Sequence, residues 1–282
     1  MRRAAAAAVL VMLTMSAAES QDKIVVHGHR GARARLPENT LPAFEYAIRI
    51  GVDVLELDMA VTKDDVIVVS HDPVLHPPVC RGPRDGVAIR ELTFAELQQW
   101  DCGAVKNPAF PDQKPVPGTR IPSLDQVFAL ASKGSFGFNI ETKIFADKPQ
   151  YTPSPADFVK LVLAQIRKHH LEKRVILQSF DFRTLKAMKD AAPEIRLSAL
   201  TEKDQRDFVT IGREAGARII SPHYRLVTPG KVQAAHEAGL QVVAWTPNTP
   251  TEWERLTKYG VDAIISDDPE ALIGWLKQAG RR

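Results

Sequence analysis

Short apolar runs rich in β-branched residues recur along this chain at 24–28, 53–59, 136–141, 174–179, 196–200, 218–221, 241–246 and 262–266. Between most of them lie segments of helical period, over 40–50, 155–170, 181–191, 204–215, 228–238, 250–259 and 269–278. Glycines 51, 216, 239 and 260 stand where a helix end calls for a left-handed residue. Eight strand–helix units predict a closed (β/α)8 barrel, with an open doubly wound sheet as the alternative α/β arrangement.

A ninth strand-like run, Val66 to Ser70, would spoil that count. The turn signal before it, Thr62-Lys63-Asp64-Asp65, is far too short for the crossover that parallel strands need. Residues 59–71 are therefore expected to form a hairpin rising from the second barrel strand and folding His71 back towards Glu56 and Asp58. Residues 73–120 carry eight prolines, both cysteines and one short amphipathic segment, Thr93 to Trp100. This reads as an inserted cap over the barrel mouth, since long ordered loops on that face are usually functional. A helix over 123–132 follows, with Ser123 and Gln126 as its capping box.

The first twenty residues differ from the rest. Arg2 and Arg3 precede an apolar run from Ala4 to Met15, and Ala18-Glu19-Ser20 offers small residues at a cleavage site. This predicts a secretory signal peptide over 1–20 and a barrel domain over 21–282, exported to the periplasm or the medium. The apolar run is too short to span a bilayer, which takes about 20 residues. Cleavage would remove Arg2, Arg3 and Glu19 and lower the formal charge from +3 to +2. With acids and bases interspersed, nucleic-acid binding has little support, and a small anionic substrate stays open. In an oxidising compartment Cys80 and Cys102 are expected to pair, closing a loop of about 20 residues; two half-buried thiols are the alternative.

Side chains alternate faces along a strand, so Glu56 and Asp58 project together, as do Glu141 and Lys143. Packing gives no reason to aim acids in one direction, but a hard divalent cation does. An oxygen-only set of Glu56, Asp58 and Glu141 favours one Ca²⁺ or Mg²⁺ over zinc. His29, after the first strand, and His71 suit general acid/base work beside it. Arg30 and Lys143 suit an anion that gains charge in its transition state, with a phosphate fitting best; Arg30 can also pair with Glu38. Of the other histidines, His169, His170 and His236 fall on helix surfaces, His76 in the insertion, and His27 inside the barrel as a hydrogen-bonded core residue. His223 follows the sixth strand on the functional face and is a candidate substrate contact. No GxGxxG or Walker sequence points to a nucleotide.

The ordered set His29-Arg30-Gly31-Ala32, Leu36-Pro37-Glu38-Asn39-Thr40, Glu56-x-Asp58, Thr62-Lys63-Asp64, His71-Asp72, Glu141-x-Lys143, Gln178-Ser179-Phe180 and Trp245-Thr246-x-Asn248 resembles the glycerophosphodiester phosphodiesterase family over about 24–270. The resemblance implies a barrel hydrolase that cleaves glycerophosphodiesters such as glycerophosphocholine or glycerophosphoethanolamine to glycerol 3-phosphate and an alcohol. It implies Glu56, Asp58 and Glu141 as metal ligands and His29 with His71 as the acid/base pair. Arg30 and Lys143 would grip phosphate, with Gln178 among the binding residues and Trp245 against the glycerol. Two residues depart from the family pattern: His27 replaces a usual aliphatic, and Pro247 a common Val. The competing readings are a lipid-directed relative of the sphingomyelinase D type, which would need an exposed apolar rim, and a non-catalytic exported barrel that binds phosphorylated metabolites.

Overall fold

The structure, a computed structural model, describes residues 23–282; the expected signal peptide lies outside the described residues. Strand β1 (Val25–Gly28) feeds α1 (Leu41–Ile50), and β2 (Val54–Val61) turns directly into β3 (Ile67–Val69). The insertion contributes β4 (Val74–Leu75), β5 (Val87–Ala88) and the short α2 (Phe94–Leu97) before α3 (Leu124–Phe128) enters β6 (Gly137–Thr142). From there strand and helix alternate: α4 (Pro155–Lys168), β7 (Val175–Ser179), α5 (Phe182–Ala191), β8 (Arg196–Thr201), α6 (Phe208–Ala215) and β9 (Ile219–Pro222). The chain ends through α7 (Pro229–Glu237), β10 (Gln241–Trp245), α8 (Pro250–Lys258), β11 (Ala263–Ser266) and α9 (Pro269–Gln278).

Eight of these strands form one parallel sheet that closes on itself, because β1 pairs with both β2 and β11. This is the expected (β/α)8 barrel. The extra strand is the expected hairpin arm: β3 runs antiparallel to β2, with Met59 opposite Val69. Strand residues facing outwards, such as Leu55, Leu57, Ile140, Leu177 and Ile220, are buried under the helices in the main core. The inward set includes a smaller apolar cluster of Ile176, Ile219, Val243, Ala263 and Ile265. Burial on both faces is why these strands read as near-continuous apolar runs rather than alternating ones.

Local signals set the helix ends. Thr40 caps α1 by accepting from the Ala43 N–H, and Gly51 closes it in the left-handed conformation at φ 85°. Two predicted helices are shorter than expected. The 204–215 segment becomes helical only at Phe208, because Asp204 is held by the Arg206 guanidinium and backbone while Asp207 takes the cap. The 123–132 segment is α-helical to Phe128 and then tightens into a 3₁₀ turn through Lys133. There the Arg174 guanidinium gathers the carbonyls of Ala131, Gly134 and Phe136.

The insertion has a core of its own. Leu75, Val87, Ile89, Leu97, Trp100 and Ile121 pack with Ala60 and Val68 of the hairpin. Cys80 and Cys102 are bonded within it, so the disulfide alternative is the one realised. Gln113 donates to the carbonyls of Arg33 and Leu36, and Phe110 lies under the Arg33 guanidinium at 5.0 Å. The cap thus rests on the loop after β1, beside the barrel mouth. Among the described residues no helix is long and apolar enough to cross a membrane.

Candidate active site

At the C-terminal ends of the barrel strands a cavity of about 330 Å³ opens, walled by His29, Arg30, Glu56, Asp58, His71, Glu141, Lys143, Gln178 and Trp245 among others. This is the barrel face on which enzyme sites form. Asp58 and Glu141 are opposite one another in the β2–β6 register, and Glu56 stands two residues below Asp58 on the same face. Glu56, Asp58 and Glu141 each offer an oxygen within 4.8 Å of the others, and all three are buried. The three acids expected to hold an ion thus come together.

Two cations line the acids. Lys143 Nζ lies 2.7 Å from Glu141 and 3.1 Å from Asp58. Arg30 donates to Glu38 at 2.6 Å, as the sequence suggested, while its Nε approaches Asp58 at 3.2 Å without the alignment of a hydrogen bond. Arg30 itself takes the left-handed backbone region at φ 50°, which lets its N–H reach Glu56 at 2.9 Å. Gly31 follows at φ 88°; a Cβ there would meet the Ala43 backbone at 2.8 Å, so only glycine lets this turn lie against α1. Asn39 donates to Asp58 at 2.9 Å and Gln178 to Glu56 at 2.7 Å.

Burial and then the adjacent Asp58 push the Glu56 carboxyl well above its ordinary range, and burial raises Glu141 as well. Burial works the same way on Asp58, but Lys143 and Arg30 overcome it and hold that carboxyl well below the usual range. Three desolvated acids with only partial cationic relief fit a bound divalent ion, whose charge would satisfy the remaining oxygen lone pairs.

His29 is fixed from behind. Its Nδ1 donates to Asp267 Oδ1 at 2.5 Å, and Arg33 Nε and Asn248 Nδ2 hold the same carboxylate at 2.6 and 2.7 Å. That leaves Nε2 directed to the acidic cluster, 3.9 Å from Glu56. Burial, with Arg33 adding to it, pushes the imidazole down to about 4, so it is neutral at physiological pH. Asp267 was not singled out from sequence, where it is one of two acids in the turn before α9. The available signal was an acid directly after the last barrel strand. His71 is held similarly: its Nδ1 donates to Asp72 at 2.8 Å, and the other Asp72 oxygen meets His76 at 3.0 Å. His76, read as a loop residue, therefore belongs to this support.

Trp245 lies in the wall with its indole N–H on the Ser221 carbonyl, and Phe180 stands edge-on to it at 5.7 Å. Phe180, Leu200 and Ile265 complete an apolar side of the cavity that the sequence reading had not assigned. His223 is placed differently from expectation. It is outside the cavity lining, edge-on to Trp245 at 5.1 Å and stacked near Tyr224, because the chain turns away after β9 into a 3₁₀ segment. It buttresses the tryptophan instead of facing the cavity. His27 is buried in the barrel interior, as expected.

The model of the glycerophosphoryl diester phosphodiesterase family matches residues 29–271. The chain belongs to this family. A glycerophosphodiester phosphodiesterase from Caldanaerobacter subterraneus subsp. tengcongensis is 32% identical, covering 92% of this chain and all of that one. A solved candidate family member from Silicibacter pomeroyi is 30% identical with a TM-score of 0.86, over 92% of this chain and 95% of its own. A phosphodiesterase from Oleispira antarctica, solved with its product sn-glycerol 3-phosphate, shares the fold at a TM-score of 0.78 and 23% identity, over 90% and 97% of the two chains. The chemistry of this chain is that of its family, hydrolysis of a glycerophosphodiester.

Proposed function

We propose that the protein hydrolyses small glycerophosphodiesters, such as glycerophosphocholine and glycerophosphoethanolamine, to glycerol 3-phosphate and an alcohol, in a reaction that requires Ca²⁺ or Mg²⁺. The observation that carries this reading is the convergence of three buried carboxylates beside a histidine already oriented by Asp267. Glu56, Asp58 and Glu141 would hold the ion. Bound there, it supplies positive charge against the negative charge that develops on the phosphoryl oxygens. Arg30 and Lys143 grip the same oxygens and position the diester. With Nδ1–H committed to Asp267, His29 presents an unprotonated Nε2 and is suited to accept the proton of the attacking hydroxyl, from water or the glycerol 2-position. His71, held by Asp72, is suited to return a proton to the departing alkoxide. Trp245 and Phe180 offer flat apolar faces to the carbon side of the glycerol.

The product complex of the Oleispira relative supports a small phosphorylated ligand in a barrel of this kind. A lipid-directed activity is disfavoured: Val25 and Phe180 are the exposed large apolar side chains among the described residues, too few for a docking rim. We also propose export, supported by the leader-like first twenty residues and by the bonded cysteines, which suit an oxidising compartment. The protein should be recovered outside the cytoplasm and begin at Gln21; recovery only from the cytoplasm, with Met1 intact, would remove the export reading.

The deciding experiment follows glycerol 3-phosphate release from glycerophosphocholine. Activity is expected to vanish on chelation and return with Ca²⁺ or Mg²⁺, and His29→Ala or His71→Ala is expected to cost at least about 10³-fold in kcat in a folded protein. Indifference to chelation would remove the ion, and near wild-type turnover in either variant would undo the acid/base pairing.

A further inference from the structure

A line of polar side chains runs down the barrel interior from the acidic cluster. Gln178 Nε2 donates to Glu56 Oε1 at 2.7 Å, and Asn139 Nδ2 donates to Gln178 Oε1 at 2.9 Å. The same Asn139 nitrogen lies 3.4 Å from His27 Nδ1. All four residues are buried, on four positions of β1, β2, β6 and β7. The direction of this chain is dictated from its upper end. A carboxylate accepts, so Gln178 must turn its NH₂ upward and its oxygen down; Asn139 must then give one N–H to that oxygen, and its other N–H needs an acceptor. His27 Nδ1 is the acceptor in reach, provided that the ring is neutral with its proton on Nε2.

We propose that His27 is a positioning residue for the metal site: by terminating this donor chain it fixes the Gln178 amide so that an N–H, never a carbonyl oxygen, faces Glu56. Glu56 then takes one hydrogen bond on each oxygen, from Gln178 on Oε1 and from the Arg30 backbone on Oε2, and its carboxylate plane is set for an ion. An aliphatic residue at position 27 would leave the second Asn139 N–H without a partner. The two amides could then reverse together and turn an oxygen towards the carboxylate. Burial favours the neutral ring, and the Arg196 charge beneath adds to it. Partners that orient metal ligands from behind are typically worth about 10–100-fold in metal affinity.

This inference rests on the reading that Glu56 helps to hold a divalent ion, and calorimetric titration of the protein with Ca²⁺ and with Mg²⁺ separates the two. Absence of binding to the wild type would sink the metal reading, and the role of His27 with it. Given binding, His27→Leu is expected to weaken it about 10–100-fold, while His27→Gln, which keeps an acceptor oxygen, recovers most of the loss. At saturating metal, kcat of His27→Leu should stay within a few-fold of wild type. Asn139→Ser breaks the same chain from its middle and should weaken metal binding likewise, which keeps the test open if His27→Leu does not fold. Wild-type affinity in folded His27→Leu or Asn139→Ser, or equal losses in the Leu and Gln variants at position 27, would overturn the proposal.

Discussion

Asp267 binds four groups at once: His29, Arg33, the Asn248 amide and, through its own N–H, the Asn248 oxygen. Replacing it with Asn keeps the shape but offers His29 an uncharged partner that can donate as well as accept, so the tautomer with Nε2 free loses its anchor. Asp267→Asn is expected to lower kcat by about 10²-fold or more with metal affinity nearly unchanged, read by product release and calorimetry. The sequence made His29, His71 and the three acids legible because the acids lie on strands, with Glu56 and Asp58 of one parity, and the histidines lie just past strands. It left Asp267 indistinct, since its neighbour Asp268 has an ordinary task as the cap of α9 and nothing local separates the two. His27 also carries a pH signature. The unfolded chain takes up a proton near pH 6.5 that the folded ring refuses until about 3, so acid favours unfolding across that window and stability falls as pH drops through it. The penalty is about 2 kcal/mol at pH 5. Urea denaturation at pH 7 and pH 5 should show His27→Leu losing less stability than the wild type by roughly that amount; equal losses would mean that His27 is protonated in the folded barrel.

At the level of elements, the strands and the β2–β3 hairpin were readable because double-faced burial writes long β-branched runs and because a four-residue turn permits only an antiparallel return. The interior of the insertion was not. Its strands, β4 and β5, are two residues each and its helix one turn, too short for any period to register. What organises it is a tertiary core shared with Ala60 and Val68 of the hairpin, clasped by the disulfide across 22 residues. Because His71 sits just beyond β3, loosening this core should reach the proposed acid/base pair. Replacing both cysteines by serine removes a constraint of about 3 kcal/mol on the unfolded chain. The variant is expected to melt earlier, to be cleaved within 73–120 by limited proteolysis, and to lose kcat/KM through His71 placement while retaining the barrel's circular dichroism. Unchanged proteolysis and turnover would show that the cap stands without its bridge.

Across the whole molecule, hydrophobic burial and the acidic cluster oppose one another. The barrel walls, Leu55 and Leu57 outside and Ile176 and Ile265 inside, bury apolar surface on both faces of the sheet, yet the same sheet carries three desolvated acids at its rim. Without a counter-ion, burial and mutual repulsion raise Glu56 and Glu141, so holding these groups together costs folding free energy that a bound cation would return. Binding to the folded state alone stabilises it by about 2.7 kcal/mol at a hundredfold excess over Kd. For a domain of this size that corresponds to a rise of roughly 5–10 °C in melting temperature. Thermal unfolding of chelator-treated protein is expected to shift upward by this order when Ca²⁺ or Mg²⁺ is restored. Glu56→Gln, which removes a charge from the cluster, should melt at or above the metal-free wild type and respond little to the ion. A Glu56→Gln protein that gained as much from the cation as the wild type does would place the ion away from the carboxylate cluster, and the account of the site given by its buried acids would fall.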